Sequence, residues 1–156
     1  MSRSARALLE YGQFEAVVGT VLDNNDGMEK ATAEQVVEEA LKFVATAAQF
    51  RRVVIAPSRV VDEGWHALIL HTSTYADLCE GLGGMIHHHP EPPDADRYDG
   101  DVIERTCALI EEAGYSVNRE LWTAPGESLV DVAANCQHSG GPNCGPIVPM
   151  PKPKGA

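Results

Sequence analysis

No run of the sequence approaches the ~18 consecutive apolar residues that a membrane-spanning helix requires. The N-terminus, Met1 to Arg6, leads into a helical pattern and not into the apolar stretch of a secretory signal, so a cytoplasmic location is expected. Basic residues are scarce as well: 12 Lys and Arg stand against 23 Asp and Glu, a formal net charge of -11. Phosphate binding relies on Lys/Arg neutralisation and counterion release, and the one basic cluster is Arg51 and Arg52 with Arg59 nearby. Nucleic acid and anionic membrane surfaces are therefore not expected partners. Cysteine is sparse and widely spaced, at Cys79, Cys107, Cys136 and Cys144. Without a secretory context, that spacing predicts reduced thiols in place of a disulfide framework. Internal repeats are absent, which excludes a solenoid.

What is present is an ordinary globular composition, 44% hydrophobic and 22% charged over 156 residues. A chain of that length buries about 70% of its unfolded surface, enough for one domain with a real core. Residues 1–135 are expected to form this domain. Residues 136–156 are expected to form a Pro/Gly-rich tail, because five of the ten prolines follow Cys136 together with Gly140, Gly141 and Gly145. The acids Glu91, Asp94, Asp96, Asp99, Asp101, Glu104, Glu111 and Glu112 form a charge run, which reads as a solvated helix face with its leading loop.

Apolar residues recur at helical spacing over 3–10 and 12–23 and stop at Asn24-Asn25-Asp26-Gly27, predicting two N-terminal helices. Thr32 and Gln35 make a capping-box signature ahead of the stripe Val36, Val37, Ala40, Leu41, Val44, Ala47 and Ala48, predicting a helix over 32–50. Val53 to Ala56 is apolar but cut short by Pro57, which suits a buried connector or short strand. Ser58 suits the N-cap of a helix running to about residue 72, followed by a segment over 73–82 that Gly83-Gly84 stops. After a loop from His87, a helix over 101–113 ends at Gly114, and Asn118 caps a short turn over 120–122. The fold class that follows is an all-α single domain of five or six helices with an irregular Pro-rich C-terminal tail.

The chemistry concentrates between Asp62 and His89. On a helix from Ser58, Asp62 and His66 are four apart and share a face, with Glu63 one position round. A carboxylate beside an imidazole suits zinc, iron or manganese, with further ligands drawn from elsewhere in the chain. His87-His88-His89 is the obvious supplier, although adjacent residues of an extended segment diverge. Either His87 and His89, or His88 alone, would turn inward. His71 follows His66 by five residues, about 140° round the helix, and so suits a supporting or surface role. Chance pairing on a helix, with a hydrogen-bonded structural histidine network and no metal, is the competing reading. Trp65 suits core packing or a stacking wall, Tyr75 a proton donor or a buried phenol, and Cys79 a soft ligand or nucleophile. Cys136, His138 and Cys144 in the tail could hold zinc only with one more donor from the body; incidental cysteines in a tail are the default.

The run Val61-Asp62-Glu63-Gly64-Trp65-His66-Ala67-Leu68-Ile69-Leu70-His71-Thr72, followed by Tyr75, Cys79, Gly84 and His87-His88-His89-Pro90, resembles the bacterial glycine-rich domain-containing protein-like family. That family is related to a domain of unknown function in plant glycine-rich domain proteins. The resemblance extends to Glu39, Lys42, Phe43, Ala56-Pro57-Ser58, Ala113-Gly114-Tyr115 and Leu121-Trp122, covering roughly residues 30–125. It implies that His87 and His88 are the paired histidines and His89 a variable position, and it groups Asp62, Trp65, His66, Tyr75 and Cys79 in one motif. The chain departs from the pattern at Leu78, where an aromatic is usual, and in a tail poor in glycine.

The resulting expectation is a divalent metal, zinc or iron with manganese as a third candidate, held by Asp62, His66, His87 and His88. Glu63 and Tyr75 are assigned proton transfer, and Trp65, His71, Cys79 and His89 support the site. The activity expected is metal-dependent, either hydrolytic or non-haem iron oxidative, on a small molecule or peptide. The alternative is a non-catalytic interaction module built round a structural histidine network.

Overall fold

Every residue from Glu39 to Thr46 is buried, more than two full turns of one helix. A helix covered on all sides must lie at the centre of its domain, and this one, α2 (Lys30–Gln49), does. The computed structural model describes residues 1–88, 100–123 and 130–133. Around α2 pack α1 (Tyr11–Asn24), α3 (Arg59–Leu70) and α5 (Gly100–Glu112), with α4 (Thr72–Gly81) on the outer side of α3. Among the described residues, two 3-10 turns, Ala5–Leu8 and Arg119–Leu121, complete the regular structure, and no strand occurs. None of the described helices is long and apolar enough to cross a membrane. The expected tail over 136–156 lies outside the described residues.

α3 carries the candidate chemistry, and its placement follows from a cap, a close approach and an apolar face. Ser58 caps it: the hydroxyl oxygen accepts the Val61 amide at 3.2 Å, as its type predicts, and the hydroxyl donates to the Leu121 carbonyl. Gly64 lets the helix come close to α2, since a Cβ there would stand 2.6 Å from the Val36 carbonyl oxygen. Val60, Val61 and Leu68 then bury against the centre, each worth about 1.5–3 kcal/mol on leaving water.

The helix starts differ from expectation in instructive ways. α2 begins at Lys30 with Glu29 as its N-cap, so Thr32 and Gln35 fall inside the first turns and do not cap it. The segment over 3–10 makes only a single 3-10 turn, Ala5–Leu8, and its start is tied to α5. The Arg3 amide donates to the Gly114 carbonyl at 2.8 Å and the Arg3 guanidinium to the Ala113 carbonyl at 3.2 Å, which satisfies the C-terminal end of α5. The stretch from Val53 to Ala56 is a connector: Arg105 donates to the Val54 carbonyl and Thr106 accepts the Ala56 amide, so α5 side chains take the place of a strand partner.

Candidate metal centre

Asp62 sits in the first turn of α3, where the exposed amides of the helix start favour a carboxylate. Its side chain is fully buried, and each oxygen meets a different imidazole. Oδ2 lies 3.1 Å from His66 Nε2, one turn along the same helix. Oδ1 lies 2.7 Å from His88 Nε2, brought in by the irregular segment after α4. The two rings stand edge to face with centroids 4.3 Å apart. One ligand atom from each of Asp62, His66 and His88 lies within 4.8 Å of the other two, and among the described residues this is the one such group of three. The site is enclosed on the His88 side, 7% exposed, and open on the His66 side, 35% exposed.

Of the three histidines in a row, His88 turns inward and His87 is exposed, outside the group. Adjacent side chains of an extended segment point to opposite sides, so one inward neighbour excludes the other. His87 therefore does not join the ligand set expected for it. His89 lies outside the described residues, as do Cys136, His138 and Cys144. His71 is where its angle on the helix predicts, away from the group, with Nε2 2.7 Å from Thr20 Oγ1 of α1. It joins α1 to the α3–α4 junction and does not support the Asp62 group.

Proton transfer was assigned to Glu63 and Tyr75, and both side chains are engaged elsewhere. Glu63, one position round from Asp62, is buried and accepts the Asn25 amide at 2.8 Å. The Tyr75 hydroxyl accepts the Trp65 indole N–H at 3.0 Å and donates its own proton to the Ile86 carbonyl. Burial pushes the phenol above its ordinary pKa, more than the Trp65 N–H lowers it, so it stays protonated at neutral pH. Cys79 is buried beside it and outside the three-residue group.

Trp65 belongs both to the core and to the site. Its ring packs on Phe43 at 4.9 Å and on His88 at 4.4 Å. Trp65 stands three residues after Asp62, residues three apart on a helix are close neighbours, and the indole is long enough to reach the same imidazole. Sequence reasoning also missed Asn25, a buried amide that donates to Glu63 and accepts from the Ala133 backbone at 2.7 Å. In the sequence it stands in a loop-like Asn-Asn-Asp-Gly run, which signals a break but not burial. A cavity of about 500 Å³ between the α1–α2 turn and residues 130–133 contains none of the three grouped residues.

The profile of the UCP032817-like family matches residues 3–97, more than half of the chain. This corrects the family suggested by the motif: the match is to a different family, and nothing supports a glycine-rich domain family. The motif residues Trp65, Tyr75 and Cys79 are all buried, so a resemblance carried on them follows packing as much as descent. No curated protein and no solved structure matches the chain significantly.

Proposed function

We propose that this chain, which belongs to the UCP032817-like family, binds one divalent metal ion through Asp62, His66 and His88. The observation that supports the reading is a fully buried carboxylate whose two oxygens each face a different imidazole nitrogen, at 2.7 and 3.1 Å. A hard oxygen and two borderline nitrogens suit zinc, iron or manganese. Three protein ligands leave coordination positions free, which zinc uses to acidify water for hydrolysis and ferrous iron uses for oxidative chemistry. The half-exposed His66 side is where a small molecule or peptide would approach. The chain is thus read as a metal-dependent enzyme, hydrolytic with zinc and oxidative with iron. An entering ion replaces the Asp62–His88 hydrogen bond and the close Asp62–His66 contact, so its affinity is net of them.

Those same contacts favour a second reading, in which Asp62, His66 and His88 tie a coil segment to α3 in a non-catalytic interaction module. Elemental analysis of untagged protein separates the two. The metal reading expects about one equivalent of zinc, iron or manganese per chain, lost in His66→Ala while the fold remains. Metal-free wild type, with His66→Ala strongly destabilised, would leave only the structural network.

A further inference from the structure

His88 is the one member of the group that does not stand on a helix, and something must hold it in place. It follows Gly83 and Gly84, whose φ angles of 100° and 143° are open to glycine and strained for other residues. The segment Met85 to His88 has no regular structure. Arg51 clamps its beginning, donating to the Gly84 carbonyl at 3.1 Å, but that contact is exposed and water can replace it.

The second hold is different. The Ile86 carbonyl, two residues before His88, accepts the Tyr75 hydroxyl of α4. That hydroxyl in turn accepts the indole N–H of Trp65 on α3, and the Trp65 ring lies 4.4 Å from the His88 ring. The contacts close a circuit: α3 reaches Tyr75 through Trp65, Tyr75 holds Ile86, and His88 returns to Asp62 on α3.

We infer that Tyr75 is a positioning residue which, by fixing the Ile86 carbonyl, sets the place of His88 Nε2 against Asp62. The consequence for metal affinity rests on the metal reading above; the positioning itself does not. Tyr75 touches neither ion nor substrate in this scheme. Its effect passes through His87, the one residue between Ile86 and His88, and removing the hydroxyl returns to that backbone the freedom conferred by the glycine pair.

The test is a cobalt(II) titration of untagged protein, followed by visible absorption, on wild type, Tyr75→Phe, His88→Ala and the double variant. Tyr75→Phe should weaken cobalt binding about tenfold in the wild-type background, the low end for loss of a partner that orients a metal ligand. In the His88→Ala background it should change affinity less than twofold. An equal loss in both backgrounds, or no loss in either, overturns the inference. If wild type takes up no cobalt, the metal reading fails alone, and positioning is read from the NMR signals of the His88 ring in the metal-free protein. The Trp65 ring current should displace those signals in wild type, and Tyr75→Phe should return them toward free imidazole values; unmoved signals overturn the inference. Should Tyr75→Phe not fold, the metal-free wild type carries the test: the Tyr75 hydroxyl proton should give its own NMR signal, protected from water by its bond to the Ile86 carbonyl, and a hydroxyl proton in free exchange with water overturns the inference.

Discussion

Two of the buried carboxylates of this protein, Glu39 and Asp62, are satisfied in opposite ways. Glu39 on α2 is paired with the Lys42 ammonium, accepts the Trp122 indole N–H at 2.8 Å and receives the Asn118 amide at 3.4 Å. Asp62 on α3 meets imidazoles. A lysine carries its charge at every ordinary pH, whereas an imidazole is a charge partner only when protonated and a metal ligand when it is not. The Glu39 network is therefore complete as a structural element, built to fasten the Trp122 segment to α2. The Asp62 group is built from side chains that can exchange one partner for another. The difference separates stability from chemistry within a few turns of helix.

The comparison breaks most sharply at Lys42. Lys42→Ala leaves Glu39 buried beside an absent cation, and urea unfolding should show a loss of about 3–5 kcal/mol, with metal content per folded chain unchanged. Asp62 should behave in the reverse manner. Zinc at 100 times its Kd should raise wild-type stability by about 2.7 kcal/mol, an increment that a chelator removes. Asp62→Asn should abolish it at a cost of about 1 kcal/mol to the metal-free protein, since an amide still bonds to imidazole. An Asn variant that keeps the zinc increment would place the metal elsewhere.

Gly64 couples the two regions, because it presses the helix of Asp62 onto the helix of Glu39. Gly64→Ala should cost about 1–3 kcal/mol by overpacking and lower metal affinity at the same time. A stability loss with unchanged affinity would show that α3 moves as a rigid unit.

The smallest expected effect is alkaline. Burial pushes the Cys107 thiol from 9.0 up to about 12, and burial of Tyr75 likewise raises its phenol above 10.0. Both groups hold their protons more tightly when folded. Their contribution is complete below the unfolded values and is lost as pH rises through the folded ones. The urea midpoint should decline from about pH 9, the ordinary thiol value. In Cys107→Val the decline should begin nearer pH 10, where the phenol takes over.

Helical periodicity was enough to read the all-α class, and Ser58 and Gly114 marked their helix ends because cap chemistry is local. The start of α2 was misread, since Thr32 and Gln35 satisfy a pattern that also occurs inside helices. Asp62 and His66 were legible as a pair because four-residue spacing dictates a shared face. The choice of His88 over His87 was not, since it depends on where Tyr75 holds the preceding backbone, a contact between separate elements. The destinations of Glu63 and His71 were hidden for the same reason: Asn25 and Thr20 belong to α1 and its end, whose position follows from packing.

The meeting of Asp62 with His88 has a topological side. α4 and its flanking turns leave α3 and return to it at His88, so the contact closes this stretch into a ring. With a metal at the closure, a single backbone cut inside the ring would not free either end, and the nicked chain would stay one particle until the ion was withdrawn. The ion would then serve as a reversible crosslink, shortening the excursions of the unfolded chain as a disulfide does, in a protein whose described cysteines, Cys79 and Cys107, are both unpaired thiols.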